Sequence, residues 1–303
     1  MSTTLVEPAT APSLETPAQR LRCSTAATRV SLRWFGVRKT LSSEQKAEAA
    51  QAFGAEGEYL SARKKLLDTR HPAYKEVTAI RGRIGSYWKG ITLPYPEPGI
   101  RLIQQAKVEE FNAKLVELRS ELQEAVARLD DHYAELKAAA RKRLGRLYAS
   151  ADYPACLEGL FELEWDFPSV EPAEYLLNIS PAIYEQESQR VASRFEEAVQ
   201  LAEQAFLSEF ARLVAHLTER LNNDVGVEQK VFRNSAVTNL VEFFQRFRQL
   251  SIGSSDQLDE LVAQAQRIVR GVGGSPGTHS GSTDHARFWA WPDCLQICGP
   301  EQS

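Results

Sequence analysis

Between Arg29 and Phe35 the apolar residues Val30, Leu32 and Trp34 alternate with Ser31 and Arg33, a period of two that predicts a short strand closed by Gly36. Ser42 or Ser43 then caps a helix to about Phe53, with Glu44 and Glu48 suited to the positive end of its dipole. Further helices are expected over about 56–68 and from Pro72 to about Lys89, the latter weakened by Gly82 and Gly85. The stretch Gly90–Gly99 contains Pro94, Pro96 and Pro98 and must be extended. A strict 3-4 spacing follows within a helix predicted from about Gln104 to Tyr148: Val108, Phe111, Leu115, Leu118, Leu122, Ala125, Leu129, His132, Leu136 and Ala139. That is the seam of a coiled coil, with His132 as a polar, register-setting position. After Tyr153-Pro154, Phe161, Leu163, Trp165 and Phe167 alternate with Glu162, Glu164 and Asp166, the clearest strand signal in the chain. A second long helix from Pro181 to about Leu221 gathers Val191, Phe195, Ala198, Ala202, Phe206 and Phe210 on one broad face, and helices at about 235–250 and 255–270 complete the pattern.

The expected fold is therefore mainly α: a long antiparallel coiled-coil-like hairpin, 104–148 against 181–221, with a smaller helical head and a minor three-stranded sheet built from 29–35, 90–95 and 160–167. Residues 1–28, rich in Ser, Thr, Ala and Pro, read as a disordered tail that cannot bury enough surface to offset its ordering entropy. Residues 29–270 read as a single helical domain, made of a head (29–103), the hairpin (104–221) and C-terminal helices (235–270). Residues 271–303 look foreign and are expected to be disordered. Only four of these 33 residues are charged, yet they hold 6 of the 17 glycines and two of the five tryptophans. So abrupt a shift suggests either a distinct tail or a change of reading frame near codon 271, and the second is favoured.

Composition narrows the class. With 43% apolar and 25% charged residues in 303, the chain is neither collagen-like, nor a disulfide miniprotein, nor wholly disordered. No run approaches the roughly 18 apolar residues of a membrane span, and no basic region leads into an apolar one at the N-terminus, so neither a membrane association nor a secretory signal is expected. Four cysteines without an export signal fit reduced thiols and a cytoplasmic location.

The net charge of −4 hides a division. Arg20–Lys107 carries 17 Lys+Arg against 7 Asp+Glu, whereas Val108–Arg270 carries 18 against 28. Trp34, Tyr59, Tyr74, Tyr87 and Trp88 are interleaved with the basic residues of the first part. Cations attract phosphates and aromatic faces stack on bases, so Arg33, Arg38, Lys39, Arg63, Lys64, Lys65, Arg81, Arg83 and Lys89 are candidates for nucleic-acid contact. Against this stands a plainer reading, in which the charges solvate helix faces and the aromatics belong to the core. A third has the basic end docking on the acidic hairpin of another copy.

Motifs of catalysis and metal binding do not survive inspection. His132-Tyr133-Ala134-Glu135 and His216-Leu217-Thr218-Glu219 reverse the Glu-x-x-His order of carboxylate-bridged metal bundles. In the expected hairpin they also stand about 18 residues apart, roughly 27 Å at about 1.5 Å per residue. Gly273-Gly274-Ser275-Pro276-Gly277 matches G-x-S-x-G but lacks the strand before it and the helix after it, and no P-loop is present. Arg141-Lys142-Arg143 suits the negative end of a helix dipole. His279, His285, Cys294 and Cys298 are not spaced as a zinc finger. No catalytic, cofactor or metal residue is assigned. The expected function is a non-enzymatic helical scaffold or interaction protein acting through a protein partner or self-association; the alternative is nucleic-acid binding through Arg20–Lys107.

The segments Val30-Ser31-Leu32-Arg33-Trp34-Phe35-Gly36-Val37-Arg38-Lys39, Tyr87-Trp88-Lys89-Gly90-Ile91-Thr92-Leu93-Pro94 and Glu164-Trp165-Asp166-Phe167-Pro168-Ser169-Val170 together resemble an uncharacterised family of hypothetical proteins of planctomycete-type bacteria. More distantly they are similar to the phage and bacterial helical proteins grouped as domain of unknown function 3150. The resemblance covers about residues 29–270. It implies a cytoplasmic protein linked to phage or mobile elements and supplies no catalytic residues. Where that group continues with charged helical sequence this chain turns to Gly271-Val272-Gly273-Gly274, a departure in line with the change of frame.

Overall fold

The computed structural model describes residues 16–222, 229–250, 253 and 255–272. In chain order the helices and strands are α1 (Pro17–Ser24), β1 (Thr25–Arg33), β2 (Arg38–Thr40), α2 (Ser43–Gln51), β3 (Arg63–Lys65), α3 (Pro72–Gly90), β4 (Leu93–Pro94), β5 (Ile100–Gln104), α4 (Val108–Asp131), α5 (Tyr133–Leu144), β6 (Glu162–Asp166), α6 (Tyr175–Ile179), α7 (Pro181–Asn222), α8 (Gln229–Leu250) and α9 (Asp256–Val272). The fold is mixed α/β, with a four-stranded antiparallel sheet in the order β4-β5-β1-β6 and a two-stranded sheet, β2-β3. This overturns the mainly α coiled-coil hairpin.

The reason lies in which surfaces the two long helices find. The described residues divide into two compact units, the first built from those up to Arg29, Gly90–Val108 and those from Phe167 onward, the second from Val30–Lys89 and Glu109–Asp166. Helix α7 belongs to the first and nearly all of α4 to the second, so the expected partners do not form a hairpin. The seam residues Phe111, Leu115, Leu118, Leu122, Ala125 and Leu129 are buried, and the helix running alongside them is α3. Tyr87 stacks on Phe111 at 6.1 Å, Arg83 pairs with Glu121, and Glu76 takes Arg128 at 2.6 Å, an antiparallel succession of contacts. A heptad pattern fixes that one face is apolar, not which helix covers it. The seam also breaks at His132, where the chain steps from α4 to α5 through an i→i+3 bond from the His132 N–H to the Leu129 carbonyl.

In the first unit α7 packs against α1, α6 and α8. Phe195, Phe206 and Phe210 share a buried cluster with Phe243, Phe244 and Phe247 of α8 and with Ala27, Leu93, Ile100 and Leu102 of the sheet. Residues 17–28, expected as tail, are ordered here. Thr16 and Gln19 form a capping box, Pro17 opens α1, and Leu21 is fully buried. Strand β5, unassigned in the sequence, lies between β4 and β1 and pairs from Thr25↔Gln104 to Arg29↔Ile100, making four strands of the expected three. The helix expected over 56–68 is instead a single 3₁₀ turn, Gly57–Tyr59, followed by β3. Residues 1–15, the foreign segment 273–303 with its G-x-S-x-G match, and His279, His285, Cys294 and Cys298 lie outside the described residues.

Candidate nucleic-acid interface

All nine basic candidates fall in the second unit, where folding sorts them by partner. Arg33 pairs with Glu162 at 2.8 Å, Arg83 pairs with Glu121, and the Arg81 guanidinium lies 4.9 Å over the Trp34 ring. Lys89 is engaged as well. The aromatics divide similarly. Tyr74 is buried, Tyr87 stacks on Phe111, and Trp34 meets Phe161 edge-on at 4.9 Å. Most of the basic, aromatic half is thus absorbed by core and by acidic residues that the sequence places later. The second unit is close to neutral, since Val30–Lys89 carries 12 Lys+Arg and 6 Asp+Glu, and Glu109–Asp166 carries 8 and 13.

Strands β2 and β3 are the exception. Their sequences, Arg38-Lys39-Thr40 and Arg63-Lys64-Lys65, have no apolar alternation, so nothing local marks them as strands. Their flanks hold them: Leu41 and Leu66-Leu67 are buried, the Leu66 N–H donates to the Val37 carbonyl at 2.8 Å, and the Leu41 N–H to the Ala62 carbonyl at 3.1 Å. The register is Arg38↔Lys65, Lys39↔Lys64 and Thr40↔Arg63. Because side chains alternate across a ribbon, Arg38, Thr40, Arg63 and Lys65 share one face while Lys39 and Lys64 share the other.

The two cations of the inner face share one carboxylate. Lys64 and Asp152 are each only 5% exposed at the side chain and stand 2.6 Å apart, and Lys64 Nζ also donates to the Leu147 carbonyl at 2.8 Å. Lys39 reaches the other oxygen of Asp152 at 2.6 Å. Hydrogen bonds from Lys39 and Lys64 hold the Asp152 carboxyl below its ordinary range. On the outer face Arg38, Arg63 and Lys65 are exposed and, among the described residues, their side chains make no ion pair or hydrogen bond. Arg38 and Lys65 lie directly opposite each other, an arrangement that costs about 0.2–1 kcal/mol unless an anion relieves it.

Two further groups belong to the neighbouring segments of the second unit. The Lys64–Leu147 bond seats the ribbon on the turn that follows α5, whose last turn carries Arg141, Lys142 and Arg143. Arg143 pairs with Asp68 at 2.7 Å, and Arg146 with Glu48 of α2 at 2.8 Å. The connector from β2 to β3 also carries the two most exposed large aromatic side chains described, Phe53 (85%) and Tyr59 (87%). The helix expected to about Phe53 conceals this aromatic in the sequence. Its signal was there: α2 presents only alanines as apolar partners, so an aromatic beyond its last turn has no local surface to cover.

The remaining candidates are not drawn together. His132 lies in the second unit, its ring 5.0 Å from His71, and His216 lies in the first. Among the described residues no group of three or more His, Cys, Asp and Glu is arranged to hold a metal ion, and no helix is long and apolar enough to cross a membrane. The chain matches no protein-family model, no curated protein and no solved structure.

Proposed function

We propose that the protein binds nucleic acid through the outer face of the β2-β3 ribbon. The observation that carries this reading is the cluster of three exposed cations, Arg38, Arg63 and Lys65, left without carboxylates in a unit where Arg33, Lys39, Lys64 and Arg83 are paired with them. A phosphate backbone supplies the missing anions and relieves the repulsion between Arg38 and Lys65. The acting residues are a subset of the expected nine. Lys64, buried on Asp152, serves the ribbon's structure, and Arg33, Arg81 and Arg83 are occupied. No enzymatic role is proposed, and the exposed free thiols of Cys23 and Cys156 suit a reducing cytoplasm.

The test is fluorescence anisotropy of the full chain with a labelled 20-nucleotide strand across salt concentrations. Three phosphate contacts give a slope of about −2 in log K against log salt, and each of R38Q, R63Q and K65Q reduces it by about 0.7. Absence of binding at low salt refutes the reading.

Self-association is a second reading, favoured by one separate observation. In the first unit Tyr175, Leu177, Ile179 and Ile183 are all exposed within nine residues, a density of apolar surface typical of interfaces. Sedimentation equilibrium tests it: a dimer that L177E/I179E dissociates supports it, and a wild-type monomer at all concentrations excludes it.

A further inference from the structure

We infer that the interface selects unpaired bases, taking single-stranded nucleic acid in preference to duplex, with Phe53 and Tyr59 as the stacking residues. This rests on the phosphate-binding reading of the same ribbon and adds a ligand class to it. Both aromatics lie on the segment that joins β2 to β3, so a strand whose phosphates follow the ribbon has aromatic faces presented from the same connection. Among the described residues neither ring makes an aromatic contact, and their exposures of 85% and 87% leave most of each ring available.

The connector presents them on a packed support. Helix α2 opens with a capping box between Ser42 and Gln45, and the chain then turns back through Gly54, whose φ of +62° suits glycine. The 3₁₀ turn Gly57–Tyr59 lies against α2 so closely that a Cβ on Gly57 would stand 2.9 Å from the Ala47 Cα. The two aromatics therefore stand at either end of a short module closed by backbone contact. Exposed aromatic rings cost free energy in water, and base stacking recovers it for any base, because every base has a π-face. In a duplex the bases are already stacked on one another, so only the phosphate contacts remain.

The experiment compares the full chain with a fluorescein-labelled oligo(dT) of 20 nucleotides and a mixed-sequence duplex of equal length at fixed salt. The single strand binds more tightly, F53A and Y59A each weaken it about fivefold or more, and duplex binding is unchanged. F53W retains single-strand affinity and its added indole fluorescence is quenched on binding. Neutralising Arg38, Arg63 and Lys65 weakens both ligands. Equal wild-type affinity for both ligands, or single-strand affinity indifferent to F53A and Y59A, overturns the selectivity while leaving phosphate binding in place. Binding of neither ligand overturns both.

Discussion

Replacing Asp152 by Asn tests the central assignment of the ribbon, that its inner face is structural and its outer face is the binding surface. The change keeps the volume and removes the charge. It leaves the Lys64 ammonium, 5% exposed at the side chain, with the Leu147 carbonyl at 2.8 Å and no counter-ion at the 2.6 Å now occupied by carboxylate. Removing one partner of a buried pair in this way costs about 3–5 kcal/mol, against a total of about 5–15 kcal/mol for a typical domain. The converse change, K64M, leaves Asp152 with Lys39, which is 55% exposed and keeps its hydration, so its cost is smaller, about 1–2 kcal/mol. The double variant K64M/D152N is more stable than D152N alone, because the unpaired ammonium is gone. Urea denaturation of the full chain, followed by circular dichroism, measures all three. Asp152 is held below its ordinary range by Lys39 and Lys64, so its contribution is present above about pH 3.9 and is lost as pH falls through the lower folded value. The difference between wild type and D152N therefore narrows in acid. Oligonucleotide affinity falls in D152N although the chain gains a unit of positive charge, because the ribbon loses its support. A D152N cost below about 1 kcal/mol, or tighter binding by D152N, refutes the division of the ribbon into two faces.

R81A loses the contact over the Trp34 ring at 4.9 Å and about 0.5–1 kcal/mol of stability, with oligonucleotide affinity unchanged, as parallel melts and titrations would show. G57A forces a Cβ to within 2.9 Å of the Ala47 Cα, destabilising the α2 module by about 1–3 kcal/mol and exposing the β2-β3 connector to limited proteolysis. F243A empties the centre of a cluster in which Phe243 touches Phe210 at 5.6 Å and Phe247 at 6.1 Å, and lowers stability by about 3–5 kcal/mol in chemical denaturation. The backbone N–H of Arg70 and the side chain of Arg143 hold Asp68 at about 2, so its contribution is intact above about pH 4 and is lost as pH falls toward 2; D68N makes that part of the acid-denaturation curve shallower.

The apolar periods along the chain marked most of each long helix and its buried face, but not the break at His132. Pro181 opens α7, and Phe111 to Leu129 of α4 are buried as the seam pattern requires, because a period near 3.6 is a property of one helix and its neighbours in sequence. The alternation at 30–34 and 161–167 likewise marks β1 and β6 from local chemistry alone. What tertiary structure decided was the choice among equivalent apolar partners. The seam of α4 faces α3 rather than α7, and any apolar stripe of suitable length would satisfy it equally. Tertiary structure alone also made strands of Arg38–Thr40 and Arg63–Lys65. Their backbone pairing depends on Leu41 and Leu66-Leu67 being buried on either side, and apart from Thr40 no residue within them favours that conformation. The same distance in sequence hid the site. The carboxylates that neutralise Arg33, Lys39, Lys64 and Arg83 lie 38 to 129 residues away, so which cations remain for a ligand is settled only when Glu121, Asp152 and Glu162 have been folded against the others.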